Sequence, residues 1–254
     1  MSGIPEEDRA SRANQSIGWP VFIFAGLCAA FLCNTTVRLV HGPWRIELPE
    51  AYHEVSSELE NEIDGYFENR LKAAKLLEEN YQQNFCMFLL LTSCAVTIPY
   101  GLLVGWKNSG WMRGIAAASV GAASSAAMTF CCGSWLTRMP RQLFTLDMDS
   151  LLKGMLIHWT TWVVIGISLM LTLFVARQSR QVALRTVVGL FFGSAIGVVL
   201  AVMLSATFEK QEHVELQMVS GAWSQFRLAV LPVSCAGLML GFMEADGGDF
   251  FGRE

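Results

Sequence analysis

Apolar residues along this chain collect into six long runs: Trp19–Val37, Phe85–Trp106, Gly114–Leu136, Leu151–Val175, Val187–Phe208 and Leu228–Met243. None of the six contains an Asp or Glu. A helix that crosses about 30 Å of hydrocarbon needs about 20 mostly apolar residues. Five of the runs reach or approach that length. The sixth has 16 residues and needs part of Ala222–Arg227 to span. In lipid, every backbone N–H and C=O must be bonded within its own segment, and these runs are too long for barrel strands. The pattern therefore predicts an all-α fold, a polytopic six-span helical bundle.

Between the first two runs the pattern changes. From Pro49 to Phe85, apolar residues recur at Tyr52, Val55, Leu59, Ile63, Phe67, Leu71, Ala74, Leu77 and Tyr81. Steps of three and four are the signature of an amphipathic helix. Pro49 suits its first turn, and about 36 residues at 1.5 Å each would reach about 54 Å. Gly65 is a place where it could bend into a hairpin. The expected organisation is a short cytoplasmic N-terminus (1–17), a first span (18–40), an acidic extramembrane helix (41–84), a five-span bundle (85–243) and an acidic cytoplasmic tail (244–254). The stripe of the outer helix needs burial against a second copy, another protein or the membrane surface.

Charge sharpens that picture. The chain is 53% hydrophobic and 16% charged, with a net charge of −4. Residues 47–79 hold 10 of the 22 acidic residues and only Arg70, Lys72 and Lys75 as bases, a local charge of −7; the remainder is +3, from 15 bases and 12 acids. Such a segment disfavours an anionic lipid surface, and neither part has the basic patch of a nucleic-acid binder. Short cytoplasmic loops are rich in Lys and Arg. The segment Ala176–Thr186 carries Arg177, Arg180 and Arg185 with no acid, and Lys107–Arg113 carries two bases with no acid. The acidic segments 47–79 and Glu209–Glu215 fall on the opposite side. Thr137–Ser150 dissents, with Arg138 and Arg141 against Asp147 and Asp149. The expected location is the plasma (inner) membrane, with both termini cytoplasmic. The first run reads as an uncleaved anchor, because Glu6, Glu7 and Asp8 offset Arg9 and Arg12 in the leader.

Candidate sites are few. Gly189, Gly193 and Gly197 form a glycine zipper, and Ala117, Gly121 and Ser125 give the third span a similar face; small residues four apart let helix backbones approach closely. The abundance of Ala, Ser and Gly from Gly114 to Ala127 predicts a central place for that span. A shift of 72 residues lays the second and third spans on the fourth and fifth, matching Arg113 with Arg185 and Gly121 with Gly193, as a duplicated hairpin would. Pro99, Gly101 and Pro232 are expected hinges. His158 is the one imidazole well inside a span, and intramembrane ionisable residues are functional candidates. With Cys131, Cys132 and Asn34 it makes a possible polar site. A tetrahedral metal site wants four ligands, and only three can be named, so no metal and no cofactor is expected. Asp147 and Asp149 stand where helix caps belong. Glu50 and His53 have the spacing of half a di-iron motif, with no second half. The seven cysteines all lie in apolar runs, which argues against a disulfide framework.

No phosphate-binding loop, zincin or nucleophile-elbow pattern is present. The expectation is a non-enzymatic multi-pass membrane protein, a scaffold or assembly protein that engages a protein partner or itself through residues 50–85. A channel or facilitator for a small or neutral solute is the first alternative. A metal or redox site at His158, Cys131 and Cys132 is the second.

Overall fold

A computed structural model describes residues 19–41, 63–144, 149–177, 180–208 and 222–245. Among them the fold is all-helical, with six helices and no strand: α1 (Trp19–His41), α2 (Ile63–Ser109), α3 (Trp111–Phe144), α4 (Ser150–Arg177), α5 (Arg180–Phe208) and α6 (Ala222–Ala245). Four stretches, Tyr81–Ser109, Trp111–Met139, Leu151–Arg177 and Val187–Leu204, are long and apolar enough to cross a membrane. In α1 and α6 the corresponding apolar stretches, Pro20–Thr36 and Val230–Phe242, are shorter.

The helices run alternately up and down. α1, α2, α4, α5 and α6 close a ring in which each packs on the next and α6 returns to α1; α3 lies outside it, in the groove between α2 and α4. This corrects the expected central place of the third span. Only 22% of its apolar window is buried, against 56% for α2. The reason lies in its two faces. Ala117, Gly121, Ser125 and Gly133 turn inward, while Ile115, Ala116, Ser119, Ala123, Ala127 and Phe130 turn outward. Small residues occupy both sides, so their abundance does not mark a surrounded helix.

α2 is one helix of 47 residues, about 70 Å long. It carries the polar segment from Ile63 into the apolar one without a break at Phe85, and Gly65 lies within it. The strongly acidic residues before Ile63, with Glu50 and His53, lie outside the described residues. The helical part from Ile63 to Asn80 holds Asp64, Glu68, Glu78 and Glu79 beside Arg70, Lys72 and Lys75.

Two connections are tighter than the sequence suggests. The expected loop Lys107–Arg113 reduces to Gly110, which has φ +92°. Its N–H donates to Trp106 C=O at 2.9 Å and its C=O accepts from Gly114 N–H at 3.2 Å. Gly110 thus ends α2 in the left-handed conformation that glycine adopts without Cβ strain, and begins α3. α3 also continues to Phe144, through most of the expected loop from Thr137. Asp149 then starts α4: its Oδ1 accepts from Leu151 N–H at 2.8 Å, the cap expected of it. Asp147 lies outside the described residues.

Candidate functional site

Where α2, α3 and α4 meet, the buried side chains are hydroxyls rather than hydrocarbons. Ser93 and Thr97 come from α2, Ser125 from α3, and Ser168 and Thr172 from α4; all five are buried, as are Thr129 on α3 and Thr92 on α2, whose C=O accepts from Cys33 Sγ of α1. The seam depends on glycine. A Cβ built on Gly121 would lie 2.8 Å from Thr172 Oγ1 and 2.9 Å from Thr97 Cβ, so a larger residue there would have to displace both side chains. Ser125 is its centre. Ser93 Oγ donates to Ser125 Oγ at 2.7 Å, Thr97 Oγ1 lies 3.4 Å from the same atom, and Ser125 Oγ donates to Gly121 C=O at 2.8 Å. Ser124 Oγ donates to Gly121 C=O at 3.0 Å, and Thr172 Oγ1 to Ser168 C=O at 2.8 Å. Bonding back to a carbonyl of the preceding turn is how Ser and Thr are satisfied inside an apolar helix.

Some buried hydroxyls on these three helices have no partner. Thr92 Oγ1, Thr129 Oγ1 and Ser168 Oγ are buried without a hydrogen bond. Such groups are costly in an apolar interior. Beside the seam hydroxyls the half-buried Cys94 thiol hydrogen-bonds with Ser125, and together they can bind water or a polar group.

The second feature is Tyr100, 1% exposed, whose hydroxyl also has no partner. It sits at the crossing of α1 and α6. A Cβ on Gly26 would lie 3.0 Å from that oxygen and one on Gly237 2.9 Å, with each glycine's Cβ position 3.2 Å from the other's Cα. Inside the ring, Val96, Tyr100, Trp162, Leu169, Leu190 and Ser194 line a cavity of about 10 Å³, room for about one water molecule.

The predicted site residues fall in separate places. Gly193 and Gly197 join α5 to α6: their Cβ positions lie 2.6 Å from Ala236 Cα and 2.5 Å from Pro232 Cα. Gly189 is buried on the same helix. Ala117, Gly121 and Ser125 face α2 and α4, as described. Gly101, an expected hinge, has its Cβ position 2.6 Å from Ala118 N. Pro99 and Pro232 are buried within unbroken helices. His158 is buried, 5% exposed, and takes part in an interaction there. Cys131 is exposed and Cys132 half-buried. Among the described residues no three His, Cys, Asp or Glu side chains come together as metal ligands. His158, Cys131 and Cys132 therefore do not form a three-ligand metal set. Asn34 is half-buried on α1.

Sequence reasoning missed the hydroxyl seam and Tyr100. The signal was there: Ser93 and Thr97, Gly121, Ser125 and Thr129, and Thr161, Ser168 and Thr172 recur at helical spacing on three spans. No family model, characterised protein or solved structure matches the chain.

Proposed function

We propose that this is a non-enzymatic membrane protein of six spans, a scaffold whose contact with a protein partner or a second copy is made by the acidic segment leading into α2. The observation that carries it is the continuity of α2. A single helix joins the polar segment to the bundle, so whatever binds outside is held rigidly against the membrane part. About 18 residues of α2 precede Tyr81, about 27 Å of helix. On this reading the basic end, with Lys107, Arg113 and Arg177, faces the cytoplasm of a plasma (inner) membrane together with both termini, and residues 41–84 lie outside.

Among the described residues, the cavity beside buried Tyr100 and Trp162 has room for about one water, and this supports the reading above the channel. The test is crosslinking from single cysteines placed at Glu78 and Glu79 of the full chain in mild detergent, alongside solute flux into liposomes holding the purified protein. The proposal expects a discrete crosslinked species and no flux. Flux without crosslinks would favour the channel.

A further inference from the structure

We draw no further inference here: the strongest candidate, the outward face of α3, where every exposed residue between Ile115 and Phe130 is Ala or Ser, is a stripe of small residues, and nothing in the structure shows what covers it.

Discussion

The seam between α5 and α6 and the seam between α2, α3 and α4 solve the same problem differently. Lipid tails are as apolar as leucine, so helices in a bilayer gain little by hiding hydrocarbon from them; association rests on close packing and on interhelical hydrogen bonds. α5 and α6 use closeness. Gly193 and Gly197 lie against the backbone of Cys235, Ala236, Leu231 and Pro232, where nothing can yield. The other seam combines closeness with polarity. Gly121 meets side chains, which can shift, and Ser125 ties α2 to α3 through Ser93. The α5–α6 seam should therefore be brittle, as should the turn end of the α2–α3 contact at Gly101 and Gly105, while the hydroxyl part around Gly121 and Ser125 should be more tolerant, and substitutions can separate them.

The largest effect is expected for Gly197→Ala, because the new methyl would fall 2.5 Å from Pro232 Cα. Overpacking against backbone should cost about 2–3 kcal/mol, read as a lowered unfolding midpoint in detergent. Gly105→Ala should follow closely, since its Cβ position is 2.8 Å from Gly114 Cα. Ser125→Ala should cost less, about 0.6–1.7 kcal/mol, the range of interhelical hydrogen bonds in membranes. A double-mutant cycle with Ser93→Ala should recover that coupling. Gly166→Ala should be neutral or stabilise by up to about 1 kcal/mol. Its nearest neighbours are Leu190 side-chain atoms at 3.8 Å, and Ala is the better helix former. The smallest effect belongs to Ala123→Leu, on the outward face of α3, within about 0.5 kcal/mol. Equal losses at Gly197 and Ala123 would break the comparison.

Much of the helical pattern was legible because freedom from charge over about 20 residues has one physical solution in lipid. Helix ends were less so. Thr137–Phe144 carries Arg138 and Arg141 and reads as a loop, yet a helix can continue past its apolar part with its backbone bonds intact. The inward face of α3 was misjudged as a sign of centrality because Ala123 and Gly121 look alike without knowledge of what lies opposite. The small-residue positions Gly193 and Gly197 could be read directly, and they lie against the α6 backbone. The pairing of Gly101 with Ala118, and of Gly105 with Gly114, could not, since it depends on the one-residue turn at Gly110. That pairing also bears on the 72-residue similarity: Gly101 and Ala118 align with Leu173 and Leu190, so the backbone contact of the first hairpin has no small-residue counterpart in the second. His158 and the vicinal cysteines lie on neighbouring spans, and sequence alone could not say that they fail to converge as ligands.

The proposed functional contact lies outside the bundle, in the segment that leads into α2. The most direct measurement is the protein mass of the purified or partner-bound assembly in mild detergent, by sedimentation, for the full chain and for a chain lacking residues 50–80. The account predicts an assembly for the full chain and a single, still inserted chain for the deletion. An assembly of unchanged mass after the deletion would contradict it.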